Sequence, residues 1–313
     1  MNNNEQKNKG FALAFGSAMV LSLTAIFIRH LTQTYALPAL VLAYWRELFT
    51  AGGLLIFFLI KNPKQLGGVR GHVGYLAAYG LALALFNALW TLSVSLNGAA
   101  VATVLAYSSA GFAVVLGWLL LGEPLTTKKI IAAILSLAGC ALVVDAFNAN
   151  VWQVNTIGVV AGTAAGIFYA LYGIMGRSAS EKGLDTWTTL MYIFGFASVF
   201  MLGFNLLSFG TIPGAAKTPA EMLWLGDNLK GWLTLAALAL GPTLVGFGLY
   251  NAALRHLESS ITNLIVTIEP VFTAVVAYFL FGERFTLMQL AGSVLIMSAV
   301  LVLRTRKRKL PQK

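Results

Sequence analysis

About ten apolar stretches of membrane-spanning length fill this chain, and the second five repeat the order of the first five. A run of roughly 20 apolar residues matches a hydrocarbon core about 30 Å thick. Inside that core every backbone polar group needs an internal partner, so each stretch is expected to be a helix. The spans are expected at 11–29, 37–60, 71–92, 98–121, 128–145, 157–176, 185–208, 230–253, 260–281 and 286–303. The expected fold is all-α: a polytopic membrane protein of ten transmembrane helices in two five-helix repeats.

Composition points the same way. The 313 residues are 58% hydrophobic and 10% charged, against about 25% charged in a soluble domain. A formal net charge of +10 would suit nucleic acid if it gathered on one folded face. Here the cations lie between spans and at the C-terminus, so no nucleic-acid partner is expected. With Cys140 as the one cysteine, no internal disulfide can form, and its simplest reading is a small buried apolar residue. Met1–Lys9 is polar with no cleavage site after it, so the first span is expected to target the chain.

The repeat is visible residue by residue. A shift of 160 lays Gly122-Glu123 on Gly282-Glu283, Thr126 on Thr286, Leu120 on Leu280 and Leu135 on Leu295. A shift of 148 lays Gly10 on Gly158 and Arg29 on Arg177. The repeats are expected at 10–145 and 157–303, with a basic cytoplasmic tail at 304–313. An odd number of spans per repeat turns the second one upside down, an arrangement found in secondary transporters.

Lys and Arg set the orientation. With the N-terminus in the cytoplasm, sixteen of the 21 fall on the cytoplasmic side, four outside, and Arg46 within a span. Both termini are therefore expected in the cytoplasm, in a multi-pass protein of the cell inner (plasma) membrane. The longest loop, 209–229, is expected to hold a short interfacial helix. Gly158, Gly162 and Gly166 recur every four residues in span six. That spacing presents one face where backbones approach closely, for tight packing or for a moving contact.

Two segments, Leu119–Thr126 (LLLGEPLT) and Phe279–Thr286 (FLFGERFT), occupy matched places in the halves. Each precedes an apolar span with a glycine, Gly139 or Gly292. Glu269-Pro270 lies upstream of the second, and Tyr44-Trp45-Arg46-Glu47 lies in span two. On these residues the chain resembles the drug/metabolite transporter superfamily and, within it, the ten-span EamA-type family, over nearly its whole length. The resemblance implies export or exchange of small metabolites, often amino acids and their derivatives, through a cavity between the halves. Four-span small multidrug relatives carry a carboxylate in their first helix. Phe11–Ile28 has only Ser17, Ser22 and Thr24 as polar side chains, so that proton-coupled mechanism is not supported.

Charges at mid-membrane cost at least about 2.5 kcal/mol on insertion scales and should face protein or water. Arg46, Glu47 and Glu269 sit deep, while Arg29, Asp145, Arg177 and Asp185 sit at span ends. Pro270 deprives the Val266 carbonyl of its helical partner. Two readings of Glu269 stand: a site for a substrate amine or a proton, or a protonated group holding the kink. Arg46 can clasp a substrate carboxylate, pair with Glu269 or Glu47, or pin loop carbonyls. Glu47 points about 100° away from it and is not its natural partner. Tyr79, Phe86, Asn87 and Trp90 in span three, with Tyr250 and Asn251 after the kink expected at Gly241-Pro242, suit a cavity for a small amphipathic solute. Span four adds Thr103, Tyr107, Ser108 and Ser109, and span nine adds Asn263 and Thr267. Tyr169, Tyr172, Trp187 and Tyr192 are weaker candidates.

The substrate-binding set is thus Arg46, Tyr79, Asn87, Trp90, Tyr107, Tyr250, Asn251, Asn263 and Glu269. No catalytic group, metal or cofactor is expected: His30, His72 and His256 are far apart, and Gly246-x-Gly248 lacks a strand context. The expected partners are the bilayer, a small metabolite such as an amino acid, and protons if transport is coupled. Ten spans can enclose a cavity alone, so a monomer is expected. Alternatives are a carrier of nucleotide-sugars or purines, which would call for more deep cations than Arg46, and a channel-like uniporter.

Overall fold

The computed structural model describes residues 3–143, 146, 155–208, 210–281 and 286–304. Among these the secondary structure is helical throughout: α1 (Asn3–Thr34), α2 (Ala39–Lys61), α3 (Val73–Tyr107), α4 (Ser109–Leu121), α5 (Thr127–Val143), α6 (Thr156–Glu181), α7 (Thr186–Leu207), α8 (Leu229–Leu238), α9 (Leu244–Leu254), α10 (Ser259–Val266), α11 (Glu269–Phe281) and α12 (Leu287–Arg304). Asp145, the second Gly-Glu turn at 282–285 and the tail from 305 lie outside the described residues.

Eight described segments are long and apolar enough to cross a membrane: Asn4–Thr34, Ala39–Lys61, Val73–Val94, Val101–Leu121, Thr156–Glu181, Thr186–Leu207, Leu229–Leu254 and Ser259–Leu280. They match the spans expected there. The remaining two expected spans coincide with the shorter helices α5 and α12. Outward-facing apolar side chains such as Ile60 (74% exposed) and Phe279 (78%) suit a lipid surround.

The backbone is helical from Val73 to Tyr107, yet the membrane-length segments Val73–Val94 and Val101–Leu121 are separate. The helix folds back. A Cβ on Gly162 would lie 2.5 Å from Ser93 Oγ and 2.8 Å from Leu105 Cβ. Those atoms are thus within about 6 Å, where a straight helix would part residues twelve apart by about 18 Å. Gly158 and Gly166 fit the same junction, against Leu96 and Asn97 and against Ser108 and the Leu105 carbonyl. The span-six glycines therefore let α6 settle into the α3–α4 hairpin.

Three breaks follow from covalent geometry. Gly122, at φ 64°, ends α4 in the left-handed region. Around Pro242 the chain makes a π turn, Ala239–Thr243, and Thr50 Oγ1 of α2 reaches the Ala239 carbonyl at 3.2 Å. Ahead of Pro270, Thr267 and Ile268 form a turn that separates α10 from α11. The loop after α7 holds a short 3-10 helix, Pro219–Leu223, within the stretch where a short helix is expected.

The main helix pairings are α3 with α6 and α7, α5 with α12, α2 with α7, α1 with α9 and α11, and α4 with α6. Asn62, Glu123, Arg177 and Arg255 lie at one end of the bundle; Thr34, Asn155 and Gly214 lie at the other. These are called the Glu123 end and the Gly214 end.

Candidate functional site

A cavity of about 460 Å³ opens among α1, α2, the α3–α4 hairpin and α11. Arg29 and Gln289 line it near the Gly214 end, and Tyr169, Phe247 and Leu21 line it at depth. It holds five of the expected site residues: Arg46, Asn87, Trp90, Tyr107 and Glu269. The α10–α11 break brings Glu269 and Pro270 to the wall together.

Arg46 and Glu47, neighbours in α2, are both buried. Arg46 Nη2 donates to Asn87 Oδ1 at 3.0 Å, and Asn87 Nδ2 donates to Glu47 Oε1 at 2.6 Å. Neighbouring helical positions point too far apart to pair directly. The Asn87 amide, arriving from α3, offers an acceptor to one and a donor to the other. Arg46 Nε and Glu47 Oε2 have no hydrogen-bond partner among the described residues. Arg177, not Arg46, pins loop carbonyls: its Nη1 donates to Leu254 O at 2.8 Å and Leu257 O at 3.3 Å.

Tyr107 and Glu269 both face the cavity, on its α3 and α11 walls. Below them lies an aromatic floor. Phe86 stacks on Tyr169 at 4.8 Å between centroids, and Tyr169 stacks on Tyr250 at 6.2 Å. Tyr172 continues the group, 4.9 Å from Tyr79.

The other four expected residues are not on the cavity wall: Tyr250 belongs to the floor itself, and Tyr79, Asn251 and Asn263 lie beneath it. Tyr79 donates to Asn251 Oδ1 at 3.0 Å, and Asn251 Nδ2 donates to the Tyr172 hydroxyl at 2.7 Å. Ser109 donates to Asn263 Oδ1 at 3.2 Å. Tyr250 Oη and Asn263 Nδ2 have no well-formed hydrogen bond among the described residues. Cys140 is buried, its sulfur 3.9 Å from the Thr267 carbonyl, as a small apolar residue would be.

Sequence reasoning used Glu123 as a marker of the repeat; the structure makes it a clamp. Its buried carboxylate folds back over Gly117, whose missing Cβ leaves the space. Oε1 accepts from the Ser259 N–H and hydroxyl, both at 2.6 Å. Oε2 accepts from the Ser260 N–H at 3.2 Å, from Lys129 at 3.3 Å and from the Ser260 hydroxyl. Lys129 also pairs with Glu258 at 2.5 Å. Burial pushes the Glu123 carboxyl up, but the hydrogen bonds from Ser259 and Ser260, with the Lys129 charge, hold it below the usual range. Its counterpart at a shift of 160 residues is Glu283, which lies outside the described residues. The Gly-Glu-Pro turn was the available signal, but nothing local to it names Ser259 and Ser260.

A solved crystal structure, 16% identical, superposes with a TM-score of 0.75 over 95% of this chain and 96% of its own, which bears on the fold alone. A probable amino-acid metabolite efflux pump of Salmonella typhimurium is 25% identical over 95% of this chain and 94% of its own length. An uncharacterized transporter of Archaeoglobus fulgidus is 28% identical over 71% of this chain and 74% of its own. The EamA-like transporter family matches residues 8–145 and 156–305. With a polytopic helical bundle and a cavity in its middle, the chain belongs to the EamA-like transporter family.

Proposed function

We propose that this chain is a secondary transporter of the cell inner membrane that exports or exchanges amino acids or their derivatives by alternating access. The observation that carries the reading is the cavity: open toward the Gly214 end, closed by the aromatic floor toward the Glu123 end, and apolar apart from a few convergent polar groups. Arg46, held by Asn87, is suited to a carboxylate, and Glu269 to an amine or a proton. The printed name of the Salmonella typhimurium relative favours amino-acid-derived substrates.

In this reading ten helices form two inverted repeats, 10–145 and 157–303. The pairings support it: α2 with α7 and α5 with α12 map onto themselves when the halves exchange, and α3 with α6 maps onto α9 with α1. The charge bias puts the Glu123 end and both termini in the cytoplasm, so the cavity opens outward. One chain encloses the cavity, in keeping with a monomer.

The test is uptake of labelled amino acids into proteoliposomes, with and without a pH gradient. Saturable uptake without a gradient makes the protein a facilitative carrier and leaves Glu269 a structural role. Uptake that needs the gradient makes it proton-coupled. No uptake by folded protein overturns the substrate class.

A further inference from the structure

The seam between α10 and the α4–α5 pair carries a line of buried polar contacts from beside Glu269 to the Glu123 end. Thr267, two residues before Glu269, donates to Ser136 Oγ at 3.1 Å. Ser109 and Asn263 meet one turn nearer the Glu123 end, and Glu123 closes the line on Ser259 and Ser260. Each contact joins the first half of the chain to the second. Polar groups buried at membrane depth are costly unless partnered, and apolar residues would pack such a seam at less cost. Asn263 Nδ2 and the neighbouring Tyr250 Oη lack good partners even so. The seam thus has the lining of a path for a polar solute, with its walls together.

The element that forms one wall is built to move. α10 is eight residues long, Ser259–Val266, with turns at Arg255–Leu257 before it and at Thr267–Ile268 after it. Turns at both ends of a short rigid segment are where large backbone changes are absorbed. The clamp at its first turn consists of hydrogen bonds and ion pairs, which break and re-form without covalent change.

We propose that this seam is the closed inner half of the transport path and that Glu123 is its latch. The latch holds the first turn of α10 against the α4–α5 connection while the cavity is open at the Gly214 end. Its release lets α10 swing away and exposes Ser109 and Asn263 to the Glu123 end. This rests on the alternating-access reading, but not on the identity of the substrate.

The experiment is labelling by a membrane-impermeant maleimide applied to either side of oriented vesicles, in a Cys140→Ala background. Ser109→Cys reports the seam, Trp90→Cys the open cavity, and Ala197→Cys, fully buried in α7, general loosening. Adding Glu123→Gln exchanges charge-assisted hydrogen bonds for neutral ones. It is expected to speed labelling of Ser109→Cys from the Glu123 end about tenfold and to slow Trp90→Cys from the other side, with Ala197→Cys unchanged. If that variant does not fold, Ser259→Ala with Ser260→Ala removes two donors and is expected to act in the same direction. Unchanged labelling at Ser109→Cys, or a rise without the fall at Trp90→Cys, or a rise shared by Ala197→Cys, overturns the latch. Because no substrate is needed, a wrong substrate class shows in the uptake assay and leaves this result standing.

Discussion

Arg46 presents its guanidinium to the cavity from a fixed position because Asn87 Oδ1 accepts from it at 3.0 Å while the same amide is anchored on Glu47. The chain therefore reads Arg46, Asn87 and Glu47 as one unit. Glu47→Gln retains an oxygen for Asn87 Nδ2 and is expected to fold and transport with small losses. Glu47→Leu leaves the Asn87 donor buried without its acceptor and is expected to cost about 1–3 kcal/mol. Thermal unfolding of the two purified variants separates them.

Arg46→Lys keeps the charge but loses the planar donor fork. In a protein that uses Arg46 to hold a substrate carboxylate, the variant is expected to fold while its KM rises about tenfold or more. Counterflow at graded substrate concentrations measures this. Loss of expression instead would mean that Arg46 serves only to hold the helices together.

Glu269→Gln keeps the shape of the side chain beside Tyr107 and removes its acid chemistry. If uptake is proton-coupled through Glu269, the variant is expected to keep exchange of labelled for unlabelled substrate and to lose its response to a pH gradient. Normal pH dependence in the variant would assign Glu269 to holding the α10–α11 turn.

Gly162→Val is expected to destabilise the bundle by about 1–3 kcal/mol, the usual range for overpacking. A Cβ there comes within 2.8 Å of Leu105 Cβ, which is not the flexible end of a side chain. Gly139 and Gly292 predict a similar loss, since a Cβ on either meets the other's carbonyl oxygen at under 3 Å. Melting temperatures in detergent report both.

The Glu123 clamp carries its own pH signature. Its carboxyl is held below the usual range, so its contribution is fully present above the unfolded value of about 4.3 and is lost as pH falls through the lower folded value. The stability difference between the native chain and Glu123→Gln is expected to be constant from pH 8 to about 5 and to shrink only in stronger acid. A clamp that weakened between pH 8 and 6 would contradict this.

Reading the chain in order reaches whatever depends on near neighbours. Span length is a property of some twenty consecutive residues, and Pro242 and Pro270 break their helices through a missing N–H and a ring, wherever the helix lies. The span-six glycines are legible as a packing face for the same reason. What faces what is another matter. Trp90 and Asn87 line the cavity while Tyr79, two to three turns along the same helix, is sealed beneath the floor, because Tyr172 of α6 and Asn251 of α9 close over it. Glu123 meets Ser259 across 136 residues of chain, and Asn87 reaches Glu47 from a different helix. Such contacts are set by how helices pack side against side, and that packing is a sum over many weak interactions which no single stretch of sequence contains.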